Sequence, residues 1–200
     1  MSWLLHTLAG IDVWLFNAIN HGLSNGLFDA VMPMFTSVTW WRPVYVIGLV
    51  LLLWKGGVRG RWAAATLVVM IAIFDPLSTI LLKNPIDRLR PFNVLPDAIN
   101  LIGMVGNGAG SFPSNHALNN TAAAVILHHY YPQRTWLWVS IAALMAFSRI
   151  YVGVHWPSDV LGGALLGLVG GYGMVVLARF IQQRSPLPRP DDHSERHPRA

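Results

Sequence analysis

Eight polar side chains in this sequence have the types and the spacing for work on a phosphate. Lys83 is followed, after six residues, by Arg90-Pro91. Ser114, Asn115 and His116 end the run Ser111-Phe112-Pro113-Ser114-Asn115-His116, and Arg149, His155 and Asp159 lie in the stretch from Ser148 to Asp159. Two guanidinium groups and one ammonium can hold the three equatorial oxygens of a phosphoryl group in transit. Ser114 adds a hydroxyl, and the backbone N–H groups that start the next helix, that of Asn115 among them, add an anion site at its positive end. The two imidazoles divide two tasks, attack on phosphorus and protonation of the leaving oxygen. Asp159, four residues after His155 and in the first turn of a helix that begins near Pro157, can reach back to one ring nitrogen and leave the other free to attack. His116 has no acid near it in sequence, which suits a proton donor. A blander account is that cations at helix ends snorkel and a single interfacial histidine is inert. It serves for any one residue and fails for the set, because all of them are expected on one face of the molecule.

The elements that would bring these residues together are membrane helices. Of the 200 residues, 54% are hydrophobic and 12% charged, and nine are tryptophan; the mean hydropathy is +0.45. A soluble domain carries about 25% charged residues, so this chain lacks the polar groups to cover itself in water. Apolar windows run over about 35–55, 61–82, 117–131, 135–152 and 158–181, near the roughly 20 residues that cross a bilayer core. Residues 3–20 carry Leu4, Leu5, Leu8, Ile11, Trp14, Leu15, Phe16 and Ile19 at helical spacing, a pattern expected to lie in the interface. A short helix around Leu27–Phe35 should lead into the first span. Pro43 and Pro76 are tolerable in membrane helices whose neighbours satisfy the freed carbonyls. Gly163, Gly167 and Gly171 let another helix approach the last window closely. The expected fold is therefore an all-α, polytopic transmembrane helix bundle of five spans, six if the N-terminal segment also crosses, with short interfacial N-terminal helices. Residues 1–184 form the membrane-embedded domain, and 185–200, rich in Pro, Arg, Asp and His, a disordered cytoplasmic tail. His193 and His197 in that tail are read as solvated.

With five spans and an external N-terminus, nine of the 14 Lys and Arg residues face the cytoplasm: Lys55, Arg59, Arg61, Arg134, Arg179, Arg184, Arg189, Arg196 and Arg199. That bias follows the positive-inside rule. Of the five on the other side (Arg42, Lys83, Arg88, Arg90 and Arg149), three belong to the constellation above, and anion binding gives them a reason to be there. The active face is thus expected outside the cytoplasm, in a bacterial cell membrane. Cysteine is absent, which excludes disulfides, zinc–thiolate sites and thiol catalysis. The net charge of +5 is not arranged as a basic stripe with interleaved aromatics, which argues against nucleic acid. No Lys or Arg precedes Arg42, so no basic leader region is expected at the N-terminus.

Lys-x6-Arg-Pro, then Pro-Ser-x-His, then Ser-Arg-x5-His-x3-Asp resembles the three-part signature of the type 2 phosphatidic acid phosphatase superfamily. It runs here from Lys83 to Asp159 over about 77 positions, in the family's order. The resemblance implies a lipid phosphatase that needs no metal or other cofactor and passes through a phosphohistidine on His155, oriented by Asp159. It implies His116 as general acid and Lys83, Arg90, Ser114 and Arg149 as phosphate ligands. The family usually has Gly where this chain has Asn115. Asn is the non-glycine residue that best tolerates left-handed backbone and keeps the backbone N–H, so phosphate binding is expected to survive.

The expected substrate is a lipid phosphate or diphosphate whose head group enters the basic cluster while its tails stay among the helices in the bilayer. Undecaprenyl diphosphate comes first, given an outward site in a small bundle; phosphatidylglycerol phosphate, phosphatidic acid and lipid A phosphates follow. A lipid phosphotransferase would use the same residues, with a lipid hydroxyl in place of water. A scaffold or transporter without chemistry is opposed by the intact His116, His155 and Asp159, and a haloperoxidase by the apolar spans. Asp75, about two turns before Lys83, is either a functional group in the membrane or a helix-packing hydrogen bond. Gly106, Gly108 and Gly110 form a loop that could cover the site. Asp87 and Arg88 are expected to pair with each other or touch a head group, without a catalytic role, and His128 and His129 to be interfacial.

Overall fold

A computed structural model describes residues 2–108 and 110–185; the expected tail beyond Ser185, with His193 and His197, lies outside the described residues. The long elements are α1 (Ser2–Asn20), α2 (Gly26–Thr36), α3 (Val38–Trp54) and α4 (Gly57–Ser78), which a π-helical turn, Thr79–Lys83, extends. Two short pieces follow, α5 (Asn84–Ile86) and α6 (Pro91–Val94), and then α7 (Asn115–Tyr130), α8 (Thr135–Tyr151) and α9 (Pro157–Arg184). No strand occurs among the described residues.

The hydrophobic distribution is that of a protein surrounded by lipid. No residue of α3 is buried, and Val46, Ile47 and Trp54 on it, with Val68 on α4 and Val169 and Phe180 on α9, are more than half exposed. Such a belt is unstable in water and at rest in a bilayer. The interior is instead built from small residues. Gly163, Gly167 and Gly171 of α9 lie against α7, where added Cβ atoms would fall 2.5 Å from the Ser114 carbonyl oxygen, 2.3 Å from that of Leu118 and 2.9 Å from Ala122 Cα. Gly is what allows the two helices to approach this closely at the seam. Below it Ala63, Met70, Ala122, Ile126, Tyr130, Met174 and Val175 form the lower core.

Each of the five apolar windows contains one long helix, but not every helix is a full span by itself. Two among the described residues, the α4 unit and α9, are long and apolar enough to cross; a third arises if α2 and α3, bent by 55° at Ser37, count as one. The helices α3, α7 and α8 have 17, 16 and 17 residues, or about 25 Å of rise at 1.5 Å per residue, a few ångströms short of a core about 30 Å thick. The physical reason lies at the upper end, where the chain leaves helical geometry to build loops.

Those loops are held by buried polar groups. Asn20 (1% exposed) donates from Nδ2 to the Ile99 and Tyr151 carbonyls and accepts from Ile99 N–H. The Tyr151 hydroxyl, at the top of α8, donates to Asp29 on α2. Both contacts fasten the N-terminal helices to the upper ends of α8 and of the 95–104 segment. Satisfying these buried groups in place of water is what keeps irregular backbone tolerable at this depth.

Candidate active site

Local rules place each reactive group. The π turn that ends α4 shifts the helix register, a device common at functional sites, and Lys83 closes that turn with its side chain turned inward, 6% exposed. Its Nζ donates to the carbonyls of Gly110 (3.2 Å) and Ser111 (3.4 Å). The chain then reverses at Asp87, which adopts left-handed backbone (φ 40°), affordable for Asp. Ser114 caps α7, its hydroxyl accepting from Ala117 N–H, and His116 sits in the first turn. Pro157 starts α9, and Asp159 in its first turn accepts from Trp156 N–H at 2.9 Å, the reciprocal half of a capping box.

Tertiary packing brings the three segments together. Arg90, 6% exposed, donates to the carbonyls of Asn107, Gly110 and Val154 and, from Nη1, contacts His155 Nε2 at 3.3 Å. A guanidinium has only donors, so Nε2 is the acceptor and the proton of the neutral ring sits on Nδ1, facing Asp159 Oδ2 at 3.4 Å. Burial first, then the charges of Arg149, Arg90 and Lys83, hold His155 well below its ordinary value of 6.5. The ring is thus neutral at physiological pH. His116 lies within electrostatic reach of Arg149, His155 and Lys83 and hydrogen bonds the Thr36 backbone, while its Nε2 is buried with no partner. Arg149 donates from Nη1 to the Thr36 carbonyl and hydroxyl, and its Nε is likewise buried and unpartnered. Such orphaned polar atoms are costly unless a ligand meets them.

The side chain of Asn115 goes elsewhere. It accepts from Ser78 and donates to Asp75 on α4, so its expected place at the phosphate reduces to the backbone N–H at the start of α7. Asp75 in turn takes Asn115 and Asn119, which makes it a helix-packing acceptor. Arg88 does not pair with Asp87. It bridges Asp159 Oδ1 and Asp12 Oδ2, both at 2.6 Å, while Asp87 accepts from Asn107. Gly110 lies against Lys83, Asp87 and Arg88 backbone, part of the floor rather than a free cover. His128 meets Thr135 and His129 meets Arg179, beside Pro132 and Tyr172, apart from this cluster.

Reading the sequence alone left out Asp12, Thr36 and the pairing of Arg88. One signal was there: Asp12 is the sole acid in the first 28 residues, and an acid in an apolar helix calls for a partner. Nothing in sequence marks Thr36, which offers Arg149 both its hydroxyl and its carbonyl.

The model of the PAP2 superfamily matches residues 63–183, a stretch that contains all eight side chains. The chain belongs to the PAP2 superfamily. It is similar to the lipid A 4'-phosphatase of Bacteroides thetaiotaomicron, at 29% identity over 92% of this chain and 86% of that one. It is similar to the undecaprenyl-diphosphatase of Sulfolobus acidocaldarius, at 35% identity over 79% and 74%. Among solved structures, LpxE of Aquifex aeolicus superposes with a TM-score of 0.68 at 26% identity, covering 82% of this chain and 94% of that one. As a PAP2 protein it is a membrane lipid phosphatase of the metal-independent kind.

Proposed function

We propose that the chain hydrolyses the diphosphate of a polyprenyl carrier lipid, undecaprenyl diphosphate before phosphatidylglycerol phosphate, phosphatidic acid or lipid A, through a phosphohistidine on His155. The observation that carries the reading is the pair of buried polar atoms without a partner among the described residues, His116 Nε2 and Arg149 Nε, within reach of a neutral His155 whose Nε2 meets Arg90. A terminal phosphoryl group entering this space takes up the Arg90, Arg149 and Lys83 donors, with Ser114 and the α7 N-terminus on its remaining oxygens.

Once Arg90 turns to the phosphoryl oxygens, His155 Nε2 is free to attack phosphorus. The N–P bond forms as the bond to the leaving oxygen breaks, and protonated His116 delivers its Nε2 proton to that oxygen. Asp159 holds Nδ1–H and stabilises the charge that builds on the ring. Water, deprotonated by His116, then attacks the phosphohistidine; inorganic phosphate leaves and His155 regains its lone pair. The prenyl tail lies along the apolar exterior, in the bilayer. In this reading α3, α4, α7, α8 and α9 all cross, the short ones in a bilayer thinned around them, and the charge bias puts the site on the extracytoplasmic side of a bacterial inner membrane. The undecaprenyl-diphosphatase similarity supports the choice of substrate class.

The test is phosphate release by purified protein in detergent from undecaprenyl diphosphate, phosphatidylglycerol phosphate, phosphatidic acid and lipid A, with label trapped on the protein by acid-free quenching. Highest kcat/KM on the prenyl diphosphate, and labelled protein that vanishes in His155→Ala, are expected. Equal release by His155→Ala would refute the mechanism, and a preference for lipid A the substrate.

A further inference from the structure

Arg88 stands at one of the unspecified positions between Lys83 and Arg90, and yet makes two short ion pairs. Its Nη1 donates to Asp159 Oδ1 at 2.6 Å and Ser158 Oγ at 2.7 Å, and its Nη2 to Asp12 Oδ2 at 2.6 Å. The oxygens of Asp159 are thereby divided: Oδ2 faces His155 and Trp156 N–H, and Oδ1 faces Arg88. The Ser111 hydroxyl also reaches this carboxylate. Asp159 is 0% exposed and Asp12, on α1, 5%. Asp12 accepts from Ser158 N–H (2.8 Å) and Ser158 Oγ (2.6 Å), so a carboxylate of α1 satisfies a free N–H at the positive end of α9. The Arg88 guanidinium is steadied further by the Trp156 ring, 5.4 Å from its centroid.

A planar fork with two faces of donors is suited to locking two carboxylates at a fixed angle. We propose that Asp12 and Arg88 are positioning residues for the reaction, a chain Asp12–Arg88–Asp159–His155 through which α1 sets the direction of the His155 ring. α1 precedes the residues that match the family model, so the segment completes the active site from outside it. The proposal rests on the phosphohistidine reading above. Neither residue meets substrate; their loss lets the Asp159 carboxylate rotate and the His155 lone pair wander from the line of attack.

The experiment is steady-state phosphate release by the full chain in detergent, on farnesyl diphosphate or dioleoyl phosphatidate, whichever the wild type turns over faster. Arg88→Ala should lower kcat about 10–100-fold, the loss seen when an orienting partner is removed from a metal-site ligand, with KM unchanged. Asp12→Asn, which keeps an acceptor for Ser158 N–H but removes the charge facing Arg88, should lower kcat less, again at constant KM. In an Asp159→Asn background Arg88→Ala should cost nothing more, because its effect passes through that carboxylate. Wild-type kcat in Asp12→Asn, a change confined to KM, or full additivity with Asp159→Asn would each overturn the proposal. Residual activity in His155→Ala would instead implicate the underlying mechanism, so the two failures are separable.

Discussion

Gly163 is where packing and chemistry meet. It lies four residues beyond Asp159 on α9, against the backbone that leads into α7. A Cβ at this position would sit 2.5 Å from the Ser114 carbonyl oxygen and 3.2 Å from Ala117 Cβ, where ordinary contact begins at 3.4 Å. The obstructing atom belongs to the backbone and has no flexible end, so the start of α7 must retreat by about 0.9 Å from α9. The Ser114 N–H donates to the Asp159 carbonyl at 3.0 Å, and the same retreat stretches that link, carrying Ser114 and His116 away from His155. Overpacking of this kind costs about 1–3 kcal/mol of stability, while a misplacement of about 1 Å costs a reacting centre about 10²-fold in rate. Gly163→Ala is expected to fold, melt a few degrees lower, and lose about 100-fold in kcat/KM, or about 2.7 kcal/mol of transition-state stabilisation. Gly173→Ala, on the same helix with nothing within 4 Å of the added carbon, is the control and should match the wild type. Phosphate release and thermal unfolding measured on the same detergent preparations decide it. A folded Gly163→Ala protein with wild-type kcat/KM would show that the α7–α9 seam does not set the geometry of the site.

Asn115→Gly separates a packing role from a binding one: losing the bonds to Ser78 and Asp75 should cost about 1–2 kcal/mol of stability and leave KM within about threefold, and a large rise in KM would place the side chain at the phosphate after all. The depressed value of His155 has a definite sign: the unfolded chain takes up a proton as pH falls through about 6.5 and the folded chain does not, so wild-type stability should fall steadily below that point. His155→Gln lacks this component, and parallel pH–Tm curves for the two proteins would contradict it. EDTA should leave turnover intact and vanadate, which mimics five-coordinate phosphorus, should inhibit; inactivation by EDTA that magnesium reverses would contradict the metal-free assignment.

The candidate chemistry and the helical frame were both legible in the order of the residues. Side-chain type and spacing are local properties, so Lys83-x6-Arg90, Ser114-x-His116 and Arg149-x5-His155-x3-Asp159 could be read directly, as could the apolar windows that contain α3, α4, α7, α8 and α9. The seam was legible too, because a Gly every four residues has one main structural use. Which polar groups are engaged and which are left open emerged from packing between distant segments. Thr36 meets Arg149 across 113 positions of chain, and Arg88 meets Asp159 and Asp12 across 71 and 76. The adjacency of Asp87 and Arg88 suggested a pair that does not form, because left-handed backbone at Asp87 turns the two side chains to different neighbours. The side chain of Asn115 is likewise taken by α4 through Ser78 and Asp75, which leaves its backbone N–H for the expected anion site. In each case the winning partner comes from another segment, and which segment stands beside which is fixed by the close packing of small residues and the burial of polar groups over the whole bundle, quantities that no local pattern of residues contains.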